Sequence, residues 1–319
     1  MTVGGPKIKL SNGLEMPQVG LGTWQSKPAE VKAAVKTAIE NGYRLIDTAA
    51  CYENESAIGE AIEELIKSGK VKREELFITT KLWATHLHPD DTEPALKESL
   101  RKLKLDYVDL YLAHMPGCFN HEMTEQNKSV TVLDIWKGLE GVHKKGLAKA
   151  IGVSNFSGEQ IERIMKTATV PIHNVQVELH LYWPQHELHE VCKKHNISLT
   201  SYASLGSPGR VEWTLASGAK LEWAPAPKDL EDPNVKKLAE KHKKTPAQIL
   251  LRYVIDRNIA VIPKSVHANR IQENFNVFDF SLTPEEIKEL ESTPHRQRLF
   301  LQDFLEGHPE DPFVTERKH

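Results

Sequence analysis

Val19-Gly20-Leu21-Gly22-Thr23-Trp24 decides between two folds. It is a short apolar run closing on glycine, so it reads as a strand entering a turn. In an open doubly wound sheet that turn carries Gly-x-Gly-x-x-Gly, and the third glycine lets the next helix pack closely. Here Gln25 stands at the third position. The dinucleotide fingerprint is missing, and the open sheet loses its main support.

Working outward, short apolar runs recur at 19–22, 44–47, 76–81, 107–114, 148–153, 174–178, 198–202 and 260–264. Amphipathic stretches alternate with them at 29–41, 55–68, 92–103, 129–145, 157–168, 186–195, 234–255 and 284–292. In the first stretch Val31, Ala34, Val35, Ala38 and Ile39 fall on one helical face. Pro28 and Pro246 stand where a first helical turn accepts proline, and Thr283-Pro-Glu-Glu286 opens a capping box. Eight strands alternating with helices predict parallel βα units, and eight closes a barrel. Ahead of them, Asn12-Gly13 between extended pieces 7–10 and 14–17 predicts a hairpin. The predicted fold is α/β: a (β/α)8 TIM barrel with an N-terminal β-hairpin and long loops at the C-terminal face. One domain covers 1–319, with the hairpin at 1–18, a long loop at 203–233 and a tail at 294–319.

Lys+Arg number 41 against Asp+Glu 44, a net charge of −3. That balance argues against nucleic acid as a partner. No apolar run approaches the roughly 18 residues of a membrane span. Cys51, Cys118 and Cys192 are odd in number and widely spaced, which reads as a reducing compartment rather than a disulfide framework. The polar, turn-rich start does not read as a secretory signal. A cytoplasmic monomer is expected.

Reactive side chains gather where these strands end. Asp47 ends the second, Lys81 the third and His114 the fourth. Ser154 and Asn155 follow the fifth, Gln176 and Glu178 lie late in the sixth, Tyr202 ends the seventh, and Lys264 and Ser265 end the eighth. In a barrel that end collects catalytic groups. No Ser-His-Asp nucleophile elbow is present. A Tyr, a Lys and an Asp together suggest proton transfer: the Lys cation lowers the Tyr pKa and the Asp keeps the Lys charged and aimed.

The chain resembles the aldo-keto reductases. The resemblance rests on Gly20-Leu-Gly-Thr-Trp24, Arg44-Leu-Ile-Asp47-Thr-Ala-Ala-Cys-Tyr52-Glu-Asn-Glu55, Leu110-Tyr-Leu-Ala-His114, Gly152-Val-Ser-Asn-Phe156 and Ile262-Pro-Lys-Ser265 followed by Arg270 and Glu273-Asn274. It implies a catalytic tetrad of Asp47, Tyr52, Lys81 and His114, and NADPH/NADP+ as cofactor. It implies that Tyr202 stacks on the nicotinamide, and that Ser154, Asn155 and Gln176 bind its carboxamide. Leu205 and Ser207 would meet the pyrophosphate, Lys264, Ser265 and Arg270 the 2′-phosphate, and Glu273 and Asn274 the adenine. Trp24, Trp83 and His114 would meet a small carbonyl substrate. The implied activity is NADPH-dependent reduction of aldehydes or ketones to alcohols, of the aldehyde-reductase type, with Tyr52 as general acid. A cofactor-binding regulatory or structural protein on the same fold is the alternative. A barrel metallohydrolase needs clustered ligands at strand ends. His180, His186, His189 and His195 lack metal-ligand spacing, so no metal is expected.

Three departures from the family pattern stand out. Met115 follows His114 where aldose- and aldehyde-reductase-like members carry Trp. Gly209 and Gln25 stand where those members latch the long loop with an Asp and a Lys, so faster cofactor exchange is expected. The tail matches common family tails only at His308-Pro-Glu-Asp-Pro-Phe313. Substrate identity therefore does not transfer.

Overall fold

The turn at Asn12-Gly13 forms because Gly13 takes a φ of +87° and Asn12 Oδ1 accepts the Leu14 N–H at 3.1 Å. It joins β1 (Lys7–Lys9) to β2 (Glu15–Pro17), antiparallel with Ile8 opposite Met16. The structure, a computed structural model, describes residues 3–212 and 223–317. The segment 213–222, with Trp213, Gly218 and Glu222, lies outside the described residues.

Eight parallel strands follow: β3 (Gly20–Gly22), β4 (Leu45–Asp47), β5 (Phe77–Leu82), β6 (Val108–Ala113), β7 (Ala148–Ser154), β8 (Asn174–Glu178), β9 (Ser198–Tyr202) and β10 (Ala260–Val261). They pair in sequence order. The ring closes where Val19 bridges Val261 and Gly22 bridges Lys264. A Cβ on Gly22 would lie 2.4 Å from the Ile262 carbonyl oxygen. The glycine-rich run thus serves the seam of the barrel rather than a phosphate turn. The last strand is shorter than 260–264 because Pro263 has no N–H to give; its carbonyl accepts from Gly22 instead.

The helices lie outside the ring: α1 (Pro28–Glu40), α2 (Glu55–Lys67), α3 (Pro89–Leu103), α4 (Val132–Lys144), α5 (Gly158–Met165), α6 (His186–Lys194), α7 (Pro233–His242), α8 (Pro246–Asp256), α9 (Ala268–Phe275) and α10 (Pro284–Glu291). The stretch read as one helix over 234–255 is two. Lys243 turns left-handed at φ +54°, and Thr245 with Gln248 caps the new helix reciprocally. Helix α9 was not anticipated; it is eight residues long and anchors through Ile271 and Phe275.

Two apolar clusters follow from strand alternation. Ile46, Ile78, Tyr111, Ile151, Val175 and Leu199 face the helices in the main core. Leu45, Phe77, Leu110, Leu112, Ala150, Ala260 and Ile262 pack inside the ring with Ile8, Leu10 and Met16 of the hairpin. The hairpin therefore plugs the N-terminal end of the barrel. The opposite, C-terminal end is left for polar side chains.

Candidate active site

Period-two alternation places the site. Asp47 lies two residues after Leu45, Lys81 four after Phe77, and His114 two after Leu112. Ser154, Gln176 and Tyr202 keep the same parity on their strands. Each therefore faces the barrel interior one layer above the apolar plug.

Lys81 Nζ donates to Asp47 Oδ1 at 2.5 Å, to the Thr48 carbonyl at 3.0 Å and to Tyr52 Oη at 3.4 Å. The second oxygen of Asp47 accepts from Gln176 Nε2 at 2.7 Å. The His114 ring meets Trp83 edge-on at 5.2 Å and Tyr52 at 5.7 Å between centroids. Asn54 fixes the segment from Asp47 to Glu55. Its amide donates to the carbonyls of Thr23 and Ser26, and its oxygen accepts from Thr48. Buried Glu55 accepts from Thr80 and Ser99.

Burial and then the negative field of Asp47 raise the Tyr52 pKa well above its ordinary value. The expectation of a lowered Tyr52 pKa is corrected: burial dominates, and the Asp47 carboxylate adds to it. Burial and then the charge of Lys81 hold His114 well below the ordinary histidine range, so its ring is neutral. The site thus contains a protonated phenol and a neutral imidazole beside a buried ion pair.

Of the expected cofactor residues, several touch one another. Tyr202 Oη donates to Asn155 Oδ1 at 2.6 Å, and Asn155 Nδ2 donates to the His114 carbonyl at 2.9 Å. Asn155, Ala203, Ser207 and Gln25 all hold positive φ, at 64°, 56°, 44° and 62°. Leu205 is half-buried; among the described residues nothing lies within 4 Å of a Cβ built on Gly209, and the Gln25 side-chain amide nitrogen is buried with no partner. Lys264 and Arg270 are exposed, Ser265 and Asn274 are buried, and Glu273 accepts from Thr245. Arg270 sits in the first turn of α9, where the helix dipole favours anions.

The tail crosses the barrel mouth. Phe300 makes edge contacts with Trp24, Tyr202 and Trp223 at 5.7, 5.7 and 5.4 Å. Phe304 lies 6.0 Å from Trp83 and 5.8 Å from Phe119. Met115 is buried in the main core. The His308–Phe313 stretch anchors the tail, since Glu310 takes both guanidinium nitrogens of Arg163 at 2.8 and 2.9 Å.

Sequence reasoning missed a second buried cluster. His180 sits between Glu178 at 2.9 Å and Asp229 at 3.1 Å, and Glu178 also accepts the backbone N–H groups of Leu299 and Phe300. It ties the end of β8 to the long loop and to the tail. Among the described residues no group of His, Cys, Asp and Glu is arranged to hold a metal ion, and no helix is long and apolar enough to cross a membrane.

The model of the Aldo/keto reductase family matches residues 17–294. The chain is 45% identical to aldo-keto reductase family 1 member A1 of Gallus gallus, over 98% of this chain and 99% of that one. It is 44% identical to the Homo sapiens protein of the same name, over 92% and 91%. Among solved structures, the aldose reductase of Schistosoma japonicum matches with a TM-score of 0.88 at 40% identity, covering 98% of this chain and 100% of that one. A Bombyx mori aldo-keto reductase in complex with NADP matches with a TM-score of 0.88 at 38% identity, covering 97% and 99%.

Proposed function

This chain belongs to the aldo/keto reductase family, and from that premise we propose that it reduces aldehydes or ketones to alcohols with NADPH. The observation that carries the reading is the contact of Lys81 with both Asp47 and Tyr52 beside a neutral His114.

The mechanism follows from those contacts. A carbonyl oxygen held by Tyr52 and His114 receives hydrogen bonds from two neutral donors, which stabilise negative charge as it develops. Tyr52 then gives up its proton to that oxygen. The pKa of Tyr52 is raised by burial, so the phenol is still protonated when the substrate arrives. Lys81 steadies the phenolate left behind, and Asp47, itself held by Gln176, keeps Lys81 in place. When bound, the cofactor supplies the hydride that reduces the carbonyl carbon.

The donor set fits that cofactor. Exposed Lys264 and Arg270 beside Ser265 and the start of α9 suit a 2′-phosphate. Ser154, Asn155 and the carbonyl end of Gln176 suit a carboxamide, with the Tyr202 ring alongside. Leu205 and Ser207 stand on the strained turn where a pyrophosphate would run. Glu273 and Asn274 are the residues for the adenine. Trp24, Trp83, Phe300 and Phe304 form an aromatic wall for the substrate. The altered latch at Gln25 and Gly209 goes with rapid cofactor release.

The test is consumption of NADPH, and of NADH as control, by purified protein on a panel of aldehydes and ketones. Turnover that prefers NADPH supports the reading. Tight NADPH binding with no turnover on any carbonyl overturns it in favour of a regulatory or structural role.

A further inference from the structure

Cys51 lies in the tight turn Ala50–Tyr52, immediately before the proposed acid, and the mechanism above does not use it. Its Sγ is 3.6 Å from His114 Nδ1. The other walls of the imidazole fix its plane but not its proton. Trp83 and Tyr52 meet it edge-on, and its backbone is held by Leu82 and Asn155.

A neutral imidazole carries one N–H and one bare nitrogen, and the neighbours decide which is which. A bare nitrogen is a strong acceptor, whereas thiol sulfur is a weak one. The favourable arrangement has the S–H donating to bare Nδ1, so that the ring proton sits on Nε2. Burial pushes the Cys51 thiol up to about 12, which keeps that S–H in place at any working pH.

We propose that Cys51 is a positioning residue: its thiol donates to His114 Nδ1 and thereby fixes the ring as the Nε2–H tautomer, the form that donates to a carbonyl oxygen. The part of this that concerns turnover rests on the carbonyl-reductase reading; the tautomer does not. Without the thiol the two tautomers compete, and part of the protein presents a bare nitrogen to the substrate. A valine here would fill similar space but would give no hydrogen bond. A serine would restore the donor.

The test is two-bond proton–nitrogen NMR of histidine-labelled protein, with the His114 signals assigned by their loss in His114→Asn. Wild type should show the Nε2–H tautomer alone. Cys51→Ala should show a mixture, and Cys51→Ser should return the single form. In parallel, kcat/KM for an aldehyde should fall about two- to fivefold in Cys51→Ala, the worth of one weak hydrogen bond. NADPH affinity should hold, and Cys51→Ser should recover the rate. Should Cys51→Ala fold poorly, Cys51→Val removes the same donor at closer volume. An Nδ1–H tautomer in wild type overturns the proposal. So does a tautomer unchanged by removing the thiol, or a mixed tautomer with unchanged kcat/KM. No turnover in wild type on any carbonyl defeats the reductase reading instead, while the spectra still decide the contact.

Discussion

Lys81 and Asp47 share a hydrogen bond of 2.5 Å with side chains 0% and 3% exposed. A pair so fully desolvated is costly to break from one side, because the survivor keeps its charge without water. It sits at the C-terminal end of the barrel, on strands β4 and β5, which are consecutive in the chain and paired in the ring. This pair and its contact with Tyr52 tie the barrel geometry to the proposed chemistry.

Asp47→Asn should therefore destabilise the fold by about 3–5 kcal/mol, as expected for a buried charge left unpaired. Adding Lys81→Met should restore much of that stability and none of the activity. Chemical denaturation of the single and double variants, read beside turnover, checks both halves.

Stability should fall as pH rises through the alkaline range, on account of His180. Burial alone lowers its pKa, but hydrogen bonds to Asp229 and Glu178 outweigh that and raise it to about 9. A histidine whose folded pKa is raised adds stability that is complete below its unfolded pKa near 6.5. That stability is lost as pH climbs through about 9. The full effect is about 3 kcal/mol or less. Denaturation curves at several pH values should show this decline, and His180→Gln should flatten it.

Phe300→Ala should raise KM for aromatic aldehydes about tenfold with a smaller change for small aliphatic ones, since an edge-packed aromatic wall is worth one to a few kcal/mol. Phe300 touches Trp24, Tyr202 and Trp223, so the loss opens the wall on three sides. Steady-state kinetics on paired substrates of different size measure it.

Arg270→Ala and Lys264→Ala should each weaken NADPH binding about tenfold and leave NADH nearly unchanged, the size of one charge-assisted hydrogen bond. Fluorescence titration with the two cofactors separates a 2′-phosphate contact from a general loss of the site.

The ring of strands was legible because each is a short apolar run and the site residues share its inward parity. Asp47, Lys81, His114, Gln176 and Tyr202 could be placed on one end of one barrel from their strand positions alone. What was not legible depends on distant parts of the chain meeting. Gln176 reaches Asp47 across 129 residues, Cys51 meets His114 across 63, and Glu178 holds Leu299 across 121. No local spacing encodes those contacts. His180 was read only within a sparse histidine set, because Asp229 lies far along the long loop. Helix α9 escaped because two apolar anchors in eight residues make a weak period. The break between α7 and α8 escaped because a lysine, not a glycine, takes the left-handed turn. The Tyr52 pKa was misjudged because sequence displays the neighbouring charge but not the depth of burial.

The most direct test of the central claim is single-turnover reduction of an aldehyde by NADPH-loaded wild type and Tyr52→Phe. Loss of a general acid predicts a rate about 10²-fold lower or worse, with NADPH affinity and fold intact. A near-normal rate in the folded, NADPH-binding variant would contradict the assignment of Tyr52 as the proton donor.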